Sequence, residues 1–182
     1  MIKKEEIVNI KTLKAEHTLH SPVFVIGHGR SGTSVTIKLL RKYIGINFGT
    51  ESQFIIRCFR KIKQYGDLAE ERNIKLLIDD LCKERCFYRW NKRFGFVLDR
   101  EKVFTELPER SYKGVLISIF SQFAKYHQME RWGDKTPKYT VSLPILYQLF
   151  PDAQFVHIVR DGRDVFLSMV QASLTGENPY RN

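Results

Sequence analysis

Val23-Phe-Val-Ile-Gly27 is a short run of β-branched and aromatic residues that stops at a glycine, the pattern of a buried parallel strand. The stretch from Gly32 to Ile44 follows with Val35, Leu39, Leu40 and Tyr43 at helical spacing, which predicts an amphipathic helix packed on a sheet and ended by Gly45. From Glu51 to about Tyr65, and from about Leu68 to Cys86, apolar residues recur every three or four positions between charges, as on surface helices. Phe87 to Phe104 is aromatic and basic with no clear period, so a loop with at most a short helix is expected. A further helix is predicted over Glu109 to His127, with Val115, Ile119, Phe120 and Phe123 as its core stripe. Arg131 to Tyr139 reads as a polar loop, Leu143 to Phe150 as a short helix, and Pro151-Asp152 as a turn. Gln154-Phe-Val-His-Ile-Val159 is a second buried strand, and Arg160-Asp-Gly-Arg-Asp164 leads into a helix over Val165 to Leu174. The order implies an α/β fold, a parallel sheet flanked by helices, although two strands are fewer than a stable sheet holds.

Composition narrows the class. The 182 residues fit one domain, and 43% hydrophobic with 27% charged residues excludes a disordered or collagenous chain. A formal charge of +10 favours an anionic partner without choosing among nucleic acid, anionic lipid and a phosphorylated small molecule. Cys58, Cys82 and Cys86 are too few for a disulfide framework, and no histidine stands at zinc-finger distance from the last two, which sit one helical turn apart. They read as buried or half-buried thiols without a task. Met1 to Lys11 mixes charges of both signs, unlike a signal peptide, and no apolar run approaches the roughly 20 residues of a membrane span. A cytoplasmic protein with no membrane span is expected.

The first segment that carries chemistry is Gly27-His-Gly-Arg-Ser-Gly-Thr-Ser34, which joins strand to helix. Free N–H groups and the positive end of the helix dipole make such a junction an anion site. Gly29 and Gly32 let the backbone approach an oxyanion, while Arg30, Thr33 and Ser34 add a charge and two hydroxyls. Gly27, Gly32 and Ser34 fit the phosphate-loop pattern G-x-x-x-x-G-K-[ST], but Thr33 occupies the lysine position, which weakens a kinase or ATPase reading.

Arg30-Ser-Gly-Thr-Ser34 resembles the 5′-phosphosulfate loop of sulfotransferases. Phe155 to Ser168 resembles their 3′-phosphate segment: a strand ending in arginine, an Asp-Gly-Arg turn, and a serine eight residues after that arginine. Trp132-Gly-Asp-Lys-Thr-Pro137 is similar to a loop of the tyrosylprotein and bacterial types. The resemblance implies a phosphate-loop-like sulfotransferase fold and the donor 3′-phosphoadenosine 5′-phosphosulfate, leaving 3′-phosphoadenosine 5′-phosphate. No metal would be needed. Residues Arg30, Ser31, Gly32, Thr33 and Ser34 would hold the 5′ end, while Arg160 and Ser168 would grip the 3′-phosphate. Arg30 and Lys135 would offset developing charge. Glu51 stands 21 residues after Arg30 and is the candidate base, with His127 as the alternative. His28 is badly placed inside the loop, and His157 is expected to pack within its strand. Arg163 is expected to face solvent or pair with Asp164.

One domain over 1–182 would then divide into a 5′-phosphosulfate half (22–56), a helical acceptor region (57–129) and a 3′-phosphate half (130–182). Members usually continue well past the 3′-phosphate helix, whereas this chain ends fourteen residues after Ser168, so a C-terminally incomplete domain is expected. The partners would be the nucleotide and a hydroxyl- or amine-bearing acceptor, with no nucleic acid expected and the oligomeric state open. Basic residues in the middle fit an acidic glycan, peptide or lipid, and fit solvated helix faces equally well. The rival class is a non-enzymatic nucleotide- or nucleic-acid-binding module, with Arg85 to Arg100 as its one candidate surface.

Overall fold

The computed structural model describes residues 21–174. The reading of Met1 to Lys11 and the segment beyond residue 174 lie outside that range. Four parallel strands form one sheet in the order β2-β3-β1-β4: β1 Val23–Gly27, β2 Ile46–Phe48, β3 Arg131–Lys135 and β4 Gln154–Ile158. In register, Val23 faces Gly133 on one side and Gln154 on the other, and Ile46 faces Arg131. The α/β fold read from the sequence is the one observed.

Strand alternation divides the apolar residues between two cores. Phe24, Ile26 and Trp132 face a large core built with the middle helices, whereas Val23, Val25, Ile46 and Phe48 face a small one with Ile37 and Leu40. The large core is aromatic: Trp90 stacks on Phe123 at 4.0 Å and Trp132 on Phe120 at 4.5 Å between ring centres.

Helix α1 is Thr33–Ile44, ended by Gly45 as predicted. Of the face predicted to pack, Leu40 does so, beside Ile37, whereas Val35, Leu39 and Tyr43 are 60%, 51% and 71% exposed. The Glu51–Tyr65 segment is shorter in helix than predicted, with α2 over Phe54–Phe59 and a 3₁₀ turn over Ile62–Tyr65. Helix α3, Glu71–Cys82, stops where Glu84 turns extended, and α4 runs over Arg85–Phe94. Cys82 and Cys86 therefore sit on different helices rather than one turn apart. The predicted loop 87–104 is in fact mostly helical, with α4 followed by α5, Arg100–Thr105. Cys86, Phe87 and Trp90 are buried along α4, and arginines and lysines at 85, 89, 92 and 93 form the other face, which hid the period. Helix α6, Tyr112–Tyr126, buries its predicted stripe, and α7, Leu143–Leu149, leads to β4.

Two strands escaped the sequence pattern, the three-residue β2 and β3. The predicted polar loop 131–139 is the inner strand β3 followed by a 3₁₀ turn, Pro137–Ser142. A side chain at Gly133 would run into the Phe48 ring and come within 2.5 Å of the Val23 carbonyl oxygen, so glycine is what lets β3 pass between β1 and β2. Strand β4, predicted as buried, is instead one of the two edge strands of the described sheet and is half-exposed. Helix α8, Gly162–Leu174, closes the described fold and buries Val165 and Ala172.

Candidate active site

Strand β1 ends at Gly27 (φ 144°), where a Cβ would lie 2.5 Å from the Ile158 carbonyl oxygen, so the absent side chain is what allows β1 and β4 to end side by side. The chain then turns sharply. Both the Ser31 N–H and its hydroxyl donate to the His28 carbonyl, at 3.2 and 2.6 Å. Arg30 adopts the left-handed region (φ 68°), a conformation that costs a non-glycine residue on the order of 1 kcal/mol and clusters at functional sites. Gly32 (φ 104°) opens α1 with no side-chain cap. Among the described residues no acceptor meets the N–H groups of Gly32, Thr33 or Ser34. Cβ atoms built on Gly29 or Gly32 would meet nothing within 4 Å. The result is an open, uncapped, positively polarised helix end that fits an oxyanion.

Residues from the far end of the chain close this loop on one side. Arg30 Nε donates to Ser168 Oγ at 3.0 Å, and Arg160 donates from Nη1 to the Arg30 carbonyl at 3.1 Å. Arg160 also lies 3.6 Å from Asp164. All four side chains are at least partly solvent-accessible, so the Arg160–Asp164 pair is weak and leaves the two guanidinium groups with unmet positive charge. Arg163 pairs through two nitrogens with Asp161, at 3.0 and 2.7 Å, not with Asp164 as the sequence suggested.

The second cluster lies at the end of β3. Lys135 Nζ donates to Glu51 Oε1 at 2.6 Å, with the lysine side chain 12% and the glutamate 34% exposed. Their chain neighbours form a buried fastening behind them. Ser52 Oγ and Thr136 Oγ1 both donate to Asp134 Oδ2 at 2.9 Å, Ser52 Oγ shares a hydrogen with the Tyr139 hydroxyl at 2.9 Å, and that hydroxyl accepts from the Ile55 N–H. Burial pushes the Asp134 carboxyl up to about 6, against hydrogen bonds from Ser52 and Thr136 that hold it down. The loop is also held from α4, where Arg89 donates to the Glu51 carbonyl at 2.7 Å. Asp134, Ser52, Thr136, Tyr139 and Arg89 were missed in the sequence, although Asp134 and Thr136 flank Lys135 in the motif that drew attention to it.

The histidines divide differently from expectation. His127 sits among the Phe94, Phe123 and Tyr126 rings, burial pulls its pKa down, and it is absent from the cleft lining that holds Glu51. His157 is exposed and lines the cleft rather than packing in its strand, because β4 is an edge strand. Exposed His28 contacts the Gly29 carbonyl through Nδ1 at 2.8 Å. The cysteines lie outside the cleft, and burial pushes the thiols of Cys58 and Cys82 up to about 11. Among the described residues no group of three or more His, Cys, Asp and Glu is placed to hold a metal ion, and no helix is long and apolar enough to cross a membrane.

Residues 22–182 match the profile of the sulfotransferase family. The chain belongs to the sulfotransferase family. The match spans Gly27 to Ser34, the Lys135 motif and Phe155 to Ser168, and it assigns this protein to the enzymes that transfer sulfuryl groups. No curated relative matches the chain at a significant level.

In this sulfotransferase the two clusters share one cleft of about 1490 Å³ at the carboxyl ends of the strands, where open α/β sheets bind ligands. Arg30, Ser31, Thr33, Ser34, Glu51, Lys135 and Arg160 all line it. Ser168 reaches it through Arg30. Among the described residues, nine lysines and arginines face the cleft against the single carboxylate of Glu51. The stretch Arg85 to Arg100, singled out as a nucleic-acid surface, contributes Arg89, Lys92 and Arg93 to this same wall.

Proposed function

We propose that this protein transfers a sulfuryl group from 3′-phosphoadenosine 5′-phosphosulfate to a hydroxyl or amine of an acceptor. The observation that carries the reading is the meeting of Arg30, Arg160 and Ser168, at 3.0 and 3.1 Å, beside an uncapped helix end. Two elements far apart in the sequence meet there, which supports a site for both ends of one nucleotide. The open space over Gly29 and Gly32 and the free N–H groups of α1 fit the 5′ end.

When bound, the donor supplies a sulfuryl group on a phosphate leaving group. The chain's own residues do the rest. Thr33 and Ser34 hydroxyls with the loop N–H groups hold the 5′ oxygens, and Arg160 with Ser168 holds the 3′-phosphate that ATP lacks. Glu51 takes the acceptor proton as the acceptor oxygen or nitrogen bonds to sulfur and the sulfur–oxygen bond to the 5′-phosphate breaks. Lys135 and Arg30 offset the charge that gathers on the leaving phosphate. Asp134 and Ser52 keep Glu51 and Lys135 in register.

Calorimetry with 3′-phosphoadenosine 5′-phosphate against 5′-AMP tests this. The wild type is expected to prefer the former by at least about tenfold, and Arg160→Ala to lose most of that preference. Equal affinities in the wild type would overturn the reading.

A further inference from the structure

We propose that Asp134 is a positioning residue that switches the site by its charge: ionised, it holds the Glu51–Lys135 pair in place through Ser52 and Thr136, and once protonated it releases that pair, so that mild acid disarms the base from inside the protein. This rests on the reading of Glu51 as base and Lys135 as its cationic partner. Among the described residues Asp134 is the one carboxylate that is buried, and Ser52, Thr136 and Tyr139 beside it are buried too, at 3%, 1% and 3% exposure. Ser52 and Thr136 are each one peptide bond from a member of the pair. A hydroxyl that turns in this cluster therefore acts directly on Glu51 or Lys135.

The hydrogens of the cluster can be assigned one by one. Ser52 Oγ and Thr136 Oγ1 give theirs to Asp134 Oδ2, both at 2.9 Å. The Ser52 backbone N–H donates to the same carboxylate. With the Ser52 hydrogen taken, the 2.9 Å contact between Ser52 and Tyr139 has the tyrosine as donor, and the tyrosine oxygen in turn accepts from the Ile55 N–H at 3.1 Å. Every donor along Ile55, Tyr139 and Ser52 thus points toward Asp134, and an ionised carboxylate can receive them because it only accepts. A protonated acid brings a hydrogen of its own to a place where three donors converge. To give that hydrogen an acceptor within the cluster, the Ser52 or the Thr136 bond has to reverse.

The surroundings let this carboxyl titrate near neutral pH. Burial pushes it up to about 6 and the charge of Glu51 adds to that, while Ser52 and Thr136 hold it down. The folded pKa lies above the ordinary one, so the group is ionised above about 6 and takes a proton below it. The neighbouring elements bring it no positive charge: the loop after β2 supplies Ser52 and Glu51, α4 supplies Cys86, the 3₁₀ turn supplies Tyr139, and Phe24 of β1 lies beside it in register. Burial raises the Cys86 thiol and the Tyr139 hydroxyl, which stay neutral over this range. Among the described residues no lysine or arginine lies within 4.0 Å of the Asp134 oxygens, and adjacent Lys135 is engaged by Glu51. A buried carboxylate without a cation is disfavoured in a purely structural role, where an uncharged residue would serve.

Heteronuclear NMR of the full chain between pH 7.5 and 5.2, above the range in which ordinary carboxylates take up protons, tests this. The carbon shift of Asp134 Cγ follows its titration, and the scalar coupling across the hydrogen bond from Lys135 Nζ to Glu51 Cδ follows the pair. In the wild type the coupling is expected to fall about fivefold on acidification, with the midpoint of Asp134, as the ionised fraction does. Asp134→Asn, with an amide where the protonated acid would stand, should show the weak coupling at both ends and no step. Ser52→Ala removes a bond to the ionised form, so the Asp134 midpoint should rise and the coupling step move with it. A coupling that persists while Asp134 takes its proton, an Asp134 that stays ionised down to pH 5.2, or a step that survives in Asp134→Asn and so belongs to another group of the cleft, such as His28 or His157, would each overturn the proposal. The donor site is judged apart from these spectra, by calorimetry of 3′-phosphoadenosine 5′-phosphate against 5′-AMP at pH 7.5. Failure of the switch with that discrimination intact condemns the switch alone, and loss of the discrimination with the step present condemns the donor reading alone.

Discussion

Asp134 is a carboxylate with 2% exposure held by two hydroxyls. Its folded pKa of about 6 lies above the ordinary 3.8, so the folded protein binds the proton first. Stability carried by this group therefore rises as pH falls from about 6 toward 4, and the ionised form at neutral pH costs about 3 kcal/mol. Urea denaturation of the wild type and Asp134→Asn across pH 4.5 to 7.5 checks this: the wild type should gain on the variant as the solution is acidified. At the neighbouring pair, Glu51→Gln and Lys135→Ala are each expected to slow sulfuryl transfer about 100-fold, with little effect on nucleotide affinity. Single-turnover rates together with calorimetry separate the two effects. Glu51 was singled out by its distance from Arg30, and Lys135 by the motif Trp132 to Pro137 around it. Asp134 was passed over because a polar residue beside glycine reads as loop, and only the pairing of β3 with β1 reveals that it is buried.

Elements announced by continuous apolar runs, β1 and β4, and by a long stripe, α6, were legible at once. Those that serve the site were not. Strand β3 carries Arg, Gly, Asp and Lys because its tip is chemistry and its middle must be slim, and α4 carries cations where a surface helix would mix signs. The spacing of α1 misled for a related reason: it has one face on the sheet and another on the cleft, and the row Val35, Leu39, Tyr43 belongs to neither. The slim middle of β3 makes a testable demand. Gly133→Ala drives a methyl into the Phe48 ring and the Val23 carbonyl, and should cost about 1–3 kcal/mol, read as a lower urea midpoint with unchanged slope. Gly27→Ala combines a clash at the Ile158 carbonyl with a backbone angle alanine resists, and should cost at least as much.

At the scale of the whole molecule, the large core draws on the middle helices and one face of the sheet, while the cleft opens at the strand tips where loops from both ends of the chain meet. Among the described residues, Val165 and Ala172 of α8 are buried, Phe166 and Leu167 are each 64% exposed, and Ser168 accepts from Arg30 of the phosphate loop. A guest that occupies the loop and Ser168 together would act as a clasp, joining α8 to the inner strand β1. Amide exchange in 162–174 should then slow by about tenfold or more on adding 3′-phosphoadenosine 5′-phosphate, while 5′-AMP leaves it nearly as fast as in the free protein. Helix α8 would thus report, from the rim, whether the nucleotide has both of its ends in place.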